Sequence, residues 1–159
     1  MADFVHLTNK TEYSLSEGAL PIARLAELCQ SFSMPAVGIS DNNNMFGALE
    51  FSEQIAKVGV QPILGCNIKI KTPKEYLHEN IEDNDLYFYL NIFSKNNEGY
   101  ENLLKCVSNA YTFNKGNAYV TVDDLIKFKD GLIILSGGNN SILAHSTDHM
   151  ITKQSQQFV

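Results

Sequence analysis

Strand-like and helix-like segments alternate along this chain of 159 residues, and the alternation predicts an α/β domain built on a parallel sheet or barrel. Two further observations agree. The apolar fraction is 44% and the charged fraction 19%, the balance of a soluble globular chain rather than a disordered one. The length suits a single domain with a real core, and no low-complexity tract or Pro/Gly-rich linker interrupts residues 1–159.

Each element has its own signal. Phe4–Leu7 is a short apolar start that reads as a first strand. Pro21 opens a helix where its missing N–H costs nothing, and Ile22, Leu25, Ala26, Cys29 and Phe32 follow at helical spacing. Ala36–Ile39 reads as a second strand. Ala48, Phe51, Ile55 and Val58 form another helical stripe, which Gly59 is suited to end. Gln61–Ile70 contains a third strand and Leu86–Phe93 a fourth, rich in aromatics. Asn96 can cap the next helix, with Glu98 in its first turn and Tyr100, Leu103, Leu104, Val107, Ala110 and Tyr111 on one face. Asp123–Phe128 reads as a short helix. Asp130-Gly131 turns into Leu132–Leu135, a continuous apolar run of the kind buried on both faces. Ile151–Val159 looks like a helix cut before its cap, which suggests a fragment excised from a longer protein.

Composition narrows the function. Net charge is −6, Arg24 is the only arginine, and the lysines do not cluster in sequence. Duplex DNA binding normally needs a basic face, so direct nucleic-acid binding is not expected. Cys29, Cys66 and Cys106 are odd in number and widely spaced, which reads as buried thiols in a reducing cytoplasm rather than a disulfide frame. The N-terminus has no secretory signal and no apolar run approaches a membrane span.

In strand–helix folds the working residues gather at the carboxyl ends of strands. Those ends carry Thr8, Asn9 and Lys10; Ser40, Asp41, Asn42, Asn43 and Asn44; Cys66 and Asn67; and Ser136, Gly137, Gly138, Asn139 and Asn140, with Tyr89 inside the fourth strand. A zinc or manganese hydrolase needs imidazole, thiolate or carboxylate donors converging on one point. This rim is rich in asparagine, a weak neutral donor, and holds an ammonium that repels cations.

Five blocks then carry a resemblance. FVHLTNKTEYSLSEGAL (4–20), SMPAVGISDNNNMFGALEF (33–51), QPILGCN (61–67), FSKNNEGYENLLKCVSNAY (93–111) and GLIILSGG (131–138) occur in this order. Together they resemble the N-terminal polymerase-and-histidinol-phosphatase (PHP) domain of bacterial DNA polymerase III alpha subunits. The resemblance implies a distorted (β/α)7 barrel, truncated here at its C-terminal end. Active members hold two or three metal ions at the barrel rim and hydrolyse phosphoesters. Set against that ligand pattern, the His-x-His pair of the first motif is Thr8 and Lys10 in this chain. The following aspartate becomes Glu17, and the Asp-His pair becomes Asp41-Asn42. The third-motif glutamate becomes Asn67, a strand-four histidine becomes Tyr89, and a late cysteine becomes Gly138. The last Asp-x-His motif and the polymerase aspartates would lie beyond Val159. The resemblance thus implies a vestigial metal site with no metal, cofactor or catalytic residue. The domain would support the remainder of the alpha subunit, which is a DNA-directed DNA polymerase, and dock the proofreading exonuclease subunit. The rival reading is an enzyme with a reduced metal site built from His6, Glu17 and Asp41: a phosphoesterase or pyrophosphatase, or a proofreading exonuclease. A third is a domain kept only for the stability of the whole subunit.

Several residues admit a sharp and a plain reading. His6 shares a strand face with Thr8 and Lys10; a buried, hydrogen-bonded rim histidine is favoured over a residual ligand. The Lys10 ammonium either fills the vacated metal position, paired with Asp41 or Glu17, or reaches into solvent. His145 and His149, spaced i, i+4 about Asp148, read as a surface pair rather than a zinc site. Residues 136–140 read as a tight turn rather than a phosphate loop. The acidic stretch of Glu79, Glu82, Asp83 and Asp85 reads as a solvated loop.

Overall fold

The computed structural model describes residues 4–73, 87–113 and 117–136. The elements run α1 (Ile22–Ser31), β1 (Ala36–Asn42), α2 (Ala48–Lys57), β2 (Gln61–Lys71), β3 (Tyr87–Ser94), α3 (Asn97–Phe113), α4 (Val122–Lys127) and β4 (Leu132–Leu135). The fold is mixed α/β, on a four-stranded sheet of order β1-β2-β3-β4. Only β1 and β2 are parallel; β3 is antiparallel to β2, and β4 antiparallel to β3. The expectation of an all-parallel sheet is therefore corrected. The chain turns back after β2, so β3 lies antiparallel beside it instead of crossing over to a parallel position.

The first predicted strand is also corrected. Residues 4–10 are extended but form no regular strand, joining β1 through a single bridge, Asn9 to Ile39. The Gly38 N–H donates to the His6 carbonyl and the Ser40 N–H to the Asn9 carbonyl. Between those two bonds this segment advances three residues while β1 advances two, so an extra residue breaks the ladder like a bulge. Gly38 permits the approach. A Cβ there would stand 2.6 Å from the Leu7 carbonyl oxygen.

The helices follow their sequence signals closely. Pro21 caps α1 in an extended conformation, and α2 ends at Val58 with Gly59 at φ +75°, the left-handed stop that glycine adopts without a Cβ penalty. The Asn96 side chain accepts the Gly99 N–H at 2.9 Å and so caps α3. The short helix α4 begins one residue before its expected start. Thr121 and Asp124 form a reciprocal capping box there that the sequence reading passed over.

Two apolar clusters hold these parts together. Ile22, Leu25, Cys29, Val37, Ile39, Phe51 and Ile55 join α1 and α2 to β1. Cys66, Ile68, Ile70, Phe88, Ile92, Leu103 and Cys106 join α3 to β2 and β3. β1 is buried at six successive positions, Ala36–Asp41, as a strand packed on both faces must be. β4 does not share this fate. Ile133 is 47% and Ile134 42% exposed, because this strand ends the described sheet and has a neighbour on one side only. All three cysteines are buried and free, as the wide spacing implied.

Candidate functional site

The polar rim forms where the end of β1 meets the turn after residue 10. Asp41 is 1% exposed, yet it is the most thoroughly bonded acid described. Its Oδ1 accepts the Thr11 N–H at 2.7 Å and the Ser14 hydroxyl at 2.6 Å; its Oδ2 accepts the Thr11 hydroxyl at 2.7 Å. The Ser14 oxygen also accepts the Asn42 N–H at 3.1 Å. The Thr11–Ser14 pair is positioned by a turn, the Ser14 N–H donating to the Thr11 carbonyl at 2.9 Å. Neutral donors, not a cation, therefore satisfy this buried carboxylate.

Lys10 takes a different partner from those expected. Its ammonium donates to the Asn42 side-chain oxygen, and the Asn42 amide donates in turn to Glu17 at 2.6 Å. The ammonium forms no direct ion pair with either Asp41 or Glu17 among the described residues; an amide intervenes. Desolvation at its half-buried position lowers the Lys10 pKa, against the opposing pull of Glu17, then Asp41.

An asparagine row continues across the sheet. Strand register places Asn42 beside Asn67, and Asn67 beside Asn91. The Asn67 amide donates to the Asn91 side-chain oxygen at 3.0 Å, and the Ser40 hydroxyl donates to the same oxygen. Asn43 sits at φ +50°, a conformation that asparagine tolerates better than most residues. From there its side chain accepts the Lys69 N–H at 2.8 Å and donates to the Ala118 carbonyl at 3.2 Å. Tyr89 is half-buried nearby; burial first, and the Glu17 charge second, raise its phenol pKa.

The other positions stay apart. Thr8 is exposed. His6 is exposed too, packed edge-on against Phe4 with ring centroids 4.7 Å apart, which corrects the expectation of a buried histidine. Gly138, the 137–140 turn, His145, Asp148, His149, the acidic stretch 79–85 and the 151–159 segment lie outside the described residues. The sequence reading missed Thr11, Ser14 and Asn91. Two small hydroxyls three residues apart, just past a strand end, were a usable signal for the first two. Asn91 had none, since it sits mid-strand and reaches the rim only because β3 runs antiparallel.

The donors described at this rim do not fit a hydrolytic metal centre. No three His, Cys, Asp or Glu side chains converge among the described residues. No buried side-chain nitrogen or oxygen described there lacks a partner, so none is left aimed at a missing ligand. The Cys66 thiol donates to the Asp41 and Asn44 carbonyls, and burial pushes its pKa up to about 12.

Comparison with known proteins bears on this geometry. The chain is 35% identical over 136 residues to the DNA polymerase III alpha subunit of Haemophilus influenzae, covering 85% of this chain and 11% of that one. It is 36% identical over 135 residues to the Rickettsia felis alpha subunit, covering 84% and 10%. The chain thus spans about a tenth of the length of the curated relatives it matches. A solved structure described as a metal-dependent phosphoesterase from Bifidobacterium adolescentis covers 69% of this chain and 34% of its own, at 19% identity and TM-score 0.49, too loose a likeness to bear on activity. The PHP domain model matches residues 6–158, almost the whole sequence, and this chain belongs to the PHP domain family.

Proposed function

We propose that this chain is the N-terminal PHP domain of a replicative DNA polymerase alpha subunit, acting as a non-catalytic scaffold that docks the proofreading exonuclease subunit. The similarity to alpha subunits along 85% of the chain supports the placement. The observation that carries the non-catalytic part is the rim. Asp41 spends its carboxylate on Thr11 and Ser14, while Asn42 stands between Lys10 and Glu17. A cation entering there would displace three short hydrogen bonds and meet an ammonium. On this reading the described sheet is part of a distorted (β/α)7 barrel, the remaining strands lie elsewhere in the subunit, and the protein works in the cytoplasm.

Two measurements test the proposal separately. Elemental analysis after dialysis against dilute zinc and manganese should find substoichiometric metal. One or more tightly held ions per chain would restore the phosphoesterase reading, with Asp41, Glu17 and His6 as ligands. Co-migration with the purified exonuclease subunit on a sizing column should reveal a complex at micromolar concentration. Separate elution of the two would remove the docking role and leave a purely stabilising domain.

A further inference from the structure

The loop that supplies Thr11 and Ser14 to Asp41 also carries a leucine that buries nothing. Leu15 is 85% exposed. Its backbone is firmly held. The Ser14 hydroxyl is fixed to Asp41, and the Ser14 carbonyl accepts the Glu17 N–H at 3.0 Å and the Gly18 N–H at 2.8 Å. Ser16 stands at φ +67°, a costly conformation for a residue with a side chain. Gly18 passes so close to Thr11 that a Cβ would fall 1.9 Å from its carbonyl oxygen. A second apolar pair stands at the start of α2, where Phe46 is 74% and Leu49 70% exposed. Phe46, Leu49 and Glu53 are spaced i, i+3, i+7, opposite the buried Ala48, Phe51 and Ile55. One amide joins the two parts: Asn44 donates to the Tyr13 carbonyl at 3.0 Å and accepts the Phe46 N–H at 3.2 Å. The Tyr13 ring lies against Gly47, where a Cβ would be 2.7 Å from it, and its hydroxyl donates to Glu50 at 2.9 Å. Tyr13 thus links Leu15, its near neighbour in sequence, to Phe46 and Leu49.

We infer that Leu15, Phe46 and Leu49, edged by Glu12 and Glu53, form a docking surface for a basic amphipathic segment of another protein. Charge chooses that occupant. Residues 11–23 and 41–56 contain Glu12, Glu17, Asp41, Glu50 and Glu53 and no lysine or arginine. Glu12 and Glu53 are exposed, and neither is ion-paired among the described residues, where the one ion pair joins Arg24 to Glu27. A partner with lysines or arginines around an apolar face satisfies both parts of the surface at once. A second copy of this chain would set the same carboxylates against each other, and an anionic membrane or a nucleic acid would be repelled by them. Exposed apolar anchors on a stiff backbone lose little freedom on binding, which is the economy of a preformed interface. The inference names no subunit and is independent of the docking role proposed above.

The test uses the full 159-residue chain and a fluorescent synthetic peptide of leucine and lysine patterned as an amphipathic helix, read by anisotropy. Saturable binding is expected, weakening as salt rises. Phe46→Ser with Leu49→Ser should weaken it roughly tenfold or more, the effect of losing interface anchors, and Leu15→Ser should weaken it in the same direction. Glu12→Gln with Glu53→Gln should lower the affinity and flatten its salt dependence. Glu98→Gln with Glu101→Gln makes the same change of charge on α3, which packs in the other apolar cluster, and should leave binding unaltered. All of these positions except those of α3 and α2 lie outside helices, and every one is exposed, so circular dichroism should find each variant folded. No binding by the parent chain overturns the inference, as does binding that survives the apolar changes in a folded chain. Equal loss in the α3 variant would reduce the effect to overall charge and overturn it too. A concentration-dependent dimer of the parent that Phe46→Ser dissolves would assign the surface to a second copy instead. Equal affinity for a leucine–glutamate peptide would rule out the charge match.

Discussion

At Asp41 a buried carboxylate depends on two side chains that follow the first extended segment by one turn. Thr11→Val keeps the shape but removes the hydroxyl from Oδ2, leaving a buried charged oxygen without its donor. The loss should be about 1–3 kcal/mol of folding stability by urea titration, with Ser14→Ala similar in sign. Lys10 makes a pH-dependent prediction. Its folded pKa lies below the usual lysine value of 10.5, so at neutral pH the native state bears a desolvation cost that the unfolded chain does not. The unfolded state holds its proton longer, and stability from this group must rise as pH climbs from the folded pKa through 10.5. Lys10→Met should therefore not destabilise the chain at neutral pH, and its advantage over the parent should shrink in alkaline buffer. Thermal melts of the two proteins across that window check the sign; the comparison cancels other alkaline titrations, such as those of the thiols. Cys66 and Cys106, with thiol pKa values pushed by burial to about 12 and about 11, should resist iodoacetamide at pH ~8 until denaturant is added, as mass spectrometry would show.

The elements differ in how openly the sequence announces them. Helices α1, α2 and α3 were legible because each carries a local signal: Pro21 before Ile22, Gly59 after Val58, and Asn96 before Asn97. The box at Thr121 was equally local and predicts that Thr121→Ala costs about 1 kcal/mol, since the hydroxyl that accepts the Asp124 N–H is removed while the backbone N–H of residue 121 still donates to Asp124. Strand partners were not legible in the same way. Apolar runs mark strands but carry no direction, so β3 read as one more parallel strand although it turns back on β2. The run 132–135 likewise gave no hint that it would end the sheet with Ile133 and Ile134 exposed. The bulged 4–10 segment depended on one backbone contact, at Gly38. Gly38→Ala would drive a methyl into the Leu7 carbonyl and should loosen that segment, seen as faster amide exchange at Gly38's neighbours in β1.

Across the whole molecule, the rim's residue types were readable before its geometry was. Asn42, Asn67 and Lys10, where the family resemblance leads one to expect ligands, argued against a metal at the level of sequence, but the sequence could not show that Asn42 separates Lys10 from Glu17. Nor could it show that Asn91 would join the row, because that contact exists only through antiparallel register. A rim whose buried Asp41 is already satisfied by Thr11 and Ser14 predicts that excess chelator leaves the melting temperature of the purified chain unchanged, and that zinc does not raise it; scanning calorimetry with and without each reagent decides. The strand order has a separate consequence. Within the described sheet β2, β3 and β4 each pair with the strand before, so none of these three pairings waits for a partner translated later. The sheet can be laid down strand by strand as the polypeptide leaves the ribosome. Its growing edge is exposed only until the next strand arrives, which shortens the interval in which a nascent chain can stick to its neighbours.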